Sequence, residues 1–153
     1  TSTDGMIRRI GGKRWAALHR LVYGAGALAV VHFFIQSKAD VAEPFVMGGL
    51  FVWLMLWRSL SRYGLLPRGA RPVLVLTLMA VVSAAATAGA EALYYHLKNG
   101  IDVMRILATN WSIGIGVRPS WIVGAAGLMV ALGAALRPLW ARPSGRGRRA
   151  AAA

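Results

Sequence analysis

An all-α fold, a polytopic bundle of about four transmembrane helices, is what this sequence predicts, and three observations predict it. Of its 153 residues 57% are hydrophobic, and the mean hydropathy of +0.54 is too apolar for a soluble domain of this size. The apolar residues gather into four long runs, more than one small soluble core has room to bury. The basic residues fall between those runs and at the chain end, which is how membrane proteins distribute them.

A helix needs about 20 apolar residues to cross a bilayer, and each run is measured against that length. The first span is expected from about Leu18 to Gln36. The second, from about Phe45 to Trp57, is short and needs Val41, Ala42 or the turn from Arg58 to Leu60 to reach across. The third runs from about Pro72 to Tyr95. The fourth runs from Trp121 to Trp140, with Pro138 placed to end or kink it. Trp15, Trp53, Trp57, Trp111, Trp121 and Trp140 mostly fall near predicted span ends, where the amphipathic indole prefers to sit. The segment from Arg142 to Ala153 is Arg, Gly, Pro and Ala with little to pack, and is expected to be disordered.

Eighteen Lys and Arg stand against five Asp and Glu, a net charge of +13. In a soluble protein that balance points to nucleic acid, but no basic helix face with interleaved aromatics lies outside the spans, so nucleic acid is not an expected partner. The charge sets topology instead. Arg8, Arg9, Lys13 and Arg14 precede the first span, Arg58, Arg62, Arg68 and Arg71 follow the second, and Arg142, Arg146, Arg148 and Arg149 follow the fourth. These regions are expected to share the cytoplasmic side. The opposite loops, Ser37 to Glu43 and Leu97 to Ser120, are poorer in positive charge. There is no cysteine, which excludes disulfides, iron–sulfur clusters and thiolate metal sites. The chain opens on Thr1 without a signal-peptide pattern and reads as a fragment or processed product.

Histidine is then the strong metal ligand that remains. His19 and His32 both lie on the first span, and thirteen residues of helix separate them by about 20 Å, near opposite membrane faces. Thirteen steps also leave the side chains about 140° apart on a straight helix. Either the helix bends at Gly24 and Gly26, or the two histidines use different neighbours. Ala25 and Ala29 fall on the His32 side, Tyr23 and Gly26 on the His19 side. Small residues there suit a flat macrocycle beside an axial ligand, and equally suit close helix packing. A metal-binding group within the apolar region is costly and functional by default, which favours His32, while His19 is closer to the interface. Arg14 and Arg20 are placed to pair with haem propionates, or simply to obey the charge rule. His96 looks interfacial. Glu91 is the one acid within a span, and either relays protons or contacts a quinone, or reaches back to the interface or stays neutral.

Thr1-Ser2-Thr3-Asp4-Gly5-Met6, Gly12-Lys13-Arg14-Trp15, Leu18-His19-Arg20-Leu21-Val22-Tyr23, Val31-His32-Phe33-Phe34 and Ser37-Lys38 together closely resemble the MsrQ (YedZ) family. These are haem-binding membrane subunits of the protein-methionine-sulfoxide reductase system, within the ferric-reductase-like transmembrane superfamily. The likeness covers about Thr1 to Leu60. It implies that residues 1–62 are the C-terminal part of the haem-binding domain, with 63–141 a two-span extension and 142–153 a basic tail. It further implies a multi-pass protein of the bacterial inner membrane that carries haem b and, by family likeness only, FMN. Electrons would pass from quinol or a flavin reductase to a periplasmic molybdopterin methionine-sulfoxide reductase subunit, so that this is an electron-transfer subunit rather than the catalytic one. By the same likeness His19 and His32 match the family's two histidines on this helix, with a further histidine ligand on an earlier span that this sequence does not contain.

No Ser/His/Asp arrangement, Gly-rich phosphate loop or carboxylate pair is present, and Gly114 with Gly116 is only a fragment of a dinucleotide pattern. Two other readings stay open: a non-redox membrane scaffold or assembly partner, and a small transporter with Glu91 and His96 on its pathway.

Overall fold

The computed structural model describes residues 4–38, 40–65, 71–112, 114 and 116–140. The helices are α1 Asp4–Ile10, α2 Gly12–Gln36, α3 Ala42–Arg62, α4 Arg71–Asn99, α5 Val103–Thr109 and α6 Pro119–Trp140. Four of them, α2, α3, α4 and α6, are long and apolar enough to cross a membrane, so the chain is a polytopic transmembrane helix bundle. The expected tail from Arg142 and the basic residue Arg68 lie outside the described residues.

The second span shows how the structure supplies length that hydropathy lacked. α3 begins at Ala42 and ends at Arg62, taking in both flanks that the short apolar run needed. Its start is organised by Asp40, whose carboxylate accepts from the Ala42 N–H at 2.9 Å. Pro44 sits in the first turn, where the missing N–H costs no helical bond. α4 is 29 residues long, or about 44 Å at 1.5 Å per residue, so its ends stand clear of a hydrocarbon core about 30 Å thick. Gly100, at φ 69, closes it by taking the left-handed conformation that stops a helix. The Gly100 N–H reaches the His96 carbonyl at 2.8 Å. α6 continues to Trp140, past the proline expected to end or kink it.

α4 and α6 pack most intimately, α3 lies against both, and α2 leans mainly on α3. The tight contacts are made by small residues, which let backbones approach where no hydrophobic drive separates helix from lipid. A Cβ added to Gly127 of α6 would stand 2.6 Å from the Ala80 Cβ of α4, and one added to Gly49 of α3 would run into Thr87 and Val123. Thr87 donates its hydroxyl to the Ser83 carbonyl at 2.8 Å, and Thr77 to that of Val73 at 2.9 Å. Hydroxyls satisfied within their own helix carry little cost in lipid. Trp53 departs from the interfacial pattern expected of the tryptophans: its indole nitrogen is buried, close to Gly127.

Two short helices lie in segments that sequence reasoning treated as loop or left unassigned. α5 falls inside Leu97 to Ser120 and is capped by Asp102, whose carboxylate accepts from the Arg105 N–H at 3.1 Å. α1 is set off from α2 by Gly11 at φ 83. Each is only seven residues long, below the window in which hydropathy periodicity is legible.

Candidate functional site

α2 carries both candidate histidines and has no buried residue. One stripe of it meets α3: the Arg58 guanidinium lies 4.5 Å over the Tyr23 ring, Phe51 closes on Gly26, and Val30 with Phe34 abuts Gly48. Phe34 also packs edge-on to Phe45 at 4.8 Å between centroids. Positions 23, 26, 30 and 34 recur at helical spacing and form one face.

His19 falls on the extension of that stripe, one turn before Tyr23. It is exposed, with its ring 4.9 Å from that of Trp15. His32 lies on the opposite side of the helix, also exposed, among Leu21, Ala25, Leu28 and Ala29, none of which meets α3. The Gln36 side-chain amide donates to His32 Nε2 at 3.2 Å, the lone pair with which an imidazole ligates a metal. Because α2 is a single uninterrupted helix, the two imidazoles address different neighbours.

The small residues between them divide their work. Gly26 serves close packing, since a Cβ there would come within 2.8 Å of Phe51, whereas a Cβ on Gly24 would meet nothing within 4 Å. Ala25 and Ala29 are exposed on the His32 side, where a flat macrocycle would find no bulky side chain beside its ligand. The donor set thus suits haem, with one exposed imidazole at each of two depths. Arg14 and Arg20 are exposed and, among the described residues, form no ion pair, which leaves both guanidiniums free for anionic groups. Among the described residues no cluster of three or more metal-ligating side chains occurs.

His96 is engaged elsewhere: its Nδ1 lies 2.8 Å from the Ile101 carbonyl, tying the end of α4 to the segment that leads into α5. Glu91 is 4% exposed and pairs with Arg118 Nη1 at 3.5 Å. Sequence reasoning singled out Glu91 but not its partner. The signal that pointed there is general: a lone acid in a span needs a cation, and the following loop offers few.

Among the curated relatives, the chain is 53% identical over 58 residues to the protein-methionine-sulfoxide reductase heme-binding subunit MsrQ of Rhodospirillum rubrum. It is 48% identical over 58 residues to that of Caulobacter vibrioides. With that of Ralstonia nicotianae it is 42% identical over 82 residues, covering 48% of this chain and 37% of the relative. No family model and no solved structure matches the chain. The likeness is therefore to the heme-binding subunit MsrQ, and it rests on 38% of this chain, which spans 28% of the length of the first two relatives.

Proposed function

We propose that this chain is part of a haem b electron-transfer subunit of a methionine-sulfoxide reductase system in the bacterial inner membrane. In this reading 1–62 form the haem-binding part, 63–141 a two-span extension and 142–153 a basic tail, with both the N-terminal segment and the tail cytoplasmic. Electrons arrive from quinol or a flavin reductase and leave to a periplasmic molybdopterin subunit; FMN enters only through the likeness. The observation that carries the reading is the pair of exposed imidazoles, His19 and His32, on a helix with no buried residue, together with the similarity to heme-binding subunits.

Haem supplies one-electron cycling between ferric and ferrous iron. The side chains here would bind and orient it: His19 and His32 would each offer one imidazole nitrogen to the iron, Ala25 and Ala29 leave room beside His32, and Arg14 and Arg20 would offer charge-assisted hydrogen bonds to propionates. Electron transfer of this kind requires no residue to act as acid, base or nucleophile.

The test uses the full-length protein in proteoliposomes. Quinol is expected to reduce its haem, and oxidised reductase subunit added outside is expected to reoxidise it. A haem that no quinol or flavin reductase reduces, or that the reductase subunit leaves reduced, contradicts the reading. Glu91 and His96, the residues of the transporter alternative, are engaged with Arg118 and with the Ile101 carbonyl respectively.

A further inference from the structure

Beyond the histidine helix, the end of the bundle formed by α4, α5 and the start of α6 holds a cavity of about 450 Å³. Its walls include Tyr95 and Asn99 from the last turns of α4, Arg105, Ile106 and Thr109 from α5, and Arg118 just before α6. Hydroxyl, amide and guanidinium groups therefore converge there, and no acidic side chain lines it among the described residues. Arg118 gives Nη1 to Glu91 at 3.5 Å, yet among the described residues its Nε is buried without a hydrogen-bond partner, as is the second carboxylate oxygen of Glu91. Glu91 balances one of the two guanidiniums. Asp102 caps α5 from outside the cavity lining, and Lys98 is drawn off onto the Tyr94 hydroxyl at 2.9 Å.

We propose that this cavity binds the phosphate of an anionic phospholipid, with Arg105 and Arg118 as its principal ligands and Tyr95 as a hydroxyl donor. Guanidiniums match phosphate oxygens in geometry as well as charge. Depth argues for a lipid over a free anion. The cavity sits where the apolar span of α4 gives out, and the same end of the bundle carries the strongly exposed Leu97, Met104 and Trp111, apolar surface suited to acyl chains and the headgroup boundary. Filling the cavity also gives the Arg118 guanidinium an anion beyond Glu91.

The experiment is native mass spectrometry of the full-length protein titrated with phosphatidylglycerol, phosphatidylcholine and inorganic phosphate, on the wild type and on Arg105→Gln. Arg105 is exposed, so its replacement is expected to leave the fold intact, which retained Glu91–Arg118 cross-helix stability in a melting curve checks. The wild type is expected to hold phosphatidylglycerol in preference to phosphatidylcholine. Arg105→Gln is expected to weaken that binding about tenfold, as loss of one charge-assisted hydrogen bond does. Equal retention of the two lipids, equal affinity of variant and wild type, or inorganic phosphate displacing the lipid at equal concentration each overturns the assignment.

Discussion

Replacing His32 by Ala is expected to strip most of the haem from the full-length protein while leaving its helix bundle folded. His32 is exposed on the side of α2 that turns away from α3, so the substitution removes no packing, and surface changes of this kind cost within about 0.5 kcal/mol. An iron centre, by contrast, loses a bond. Even an outer-shell partner is worth roughly tenfold or more in metal affinity, and a first ligand is worth at least that. The measurement is the haem-to-protein ratio of the purified variant beside its melting temperature. Unchanged haem content removes His32 from the ligand set, and a collapsed melting temperature shows that its role is structural.

The second large effect concerns the fold alone. Gly127→Leu is expected to destabilise the bundle by about 1–3 kcal/mol, the usual cost of overpacking a close-packed interior. At that position a Cβ already stands 2.6 Å from the Ala80 Cβ and 3.0 Å from its backbone Cα, with the Trp53 indole nitrogen at 3.1 Å. A backbone atom cannot step aside as a side-chain tip does, so α6 must lift off α4. Gly133→Leu, on the same helix, meets nothing within 4 Å and is expected to be near neutral. Thermal unfolding of both variants in detergent reads the difference, and equal melting temperatures would show that α4 and α6 are not packed through these small residues.

Much of the architecture was legible in the residues because lipid imposes one rule on every span. An apolar run near the required length must be a helix, so α4 and α6 were found to within four residues, while α2 starts six residues before the expected Leu18, its first turn carrying Lys13 and Arg14. α3 was underestimated because its ends, Ala42-Glu43-Pro44 and Arg58 to Arg62, carry charged and hydroxyl residues that belong to the helix but not to the hydrocarbon. α1 and α5 escaped because their seven residues are held by Gly11 and by the Asp102 cap rather than by a hydrophobic stripe.

The histidine helix was half legible. Helical arithmetic placed His19 and His32 on different sides, and the structure adds which side meets α3. No pattern within α2 alone tells that Gly26 would be consumed by Phe51 while Gly24 stays open, because that depends on how α3 returns. The Glu91–Arg118 pair was illegible for the same reason: the chain passes through α5 before Arg118 comes back against α4, and only tertiary packing brings the two together.

The most direct measurement is a reduced-minus-oxidised absorption spectrum of the purified full-length protein. Imidazole ligation from α2 predicts the sharp bands of low-spin, bis-histidine b-type haem, diminished in the His19→Ala and His32→Ala variants. A featureless spectrum after reconstitution with haem, from protein that remains folded, would contradict it.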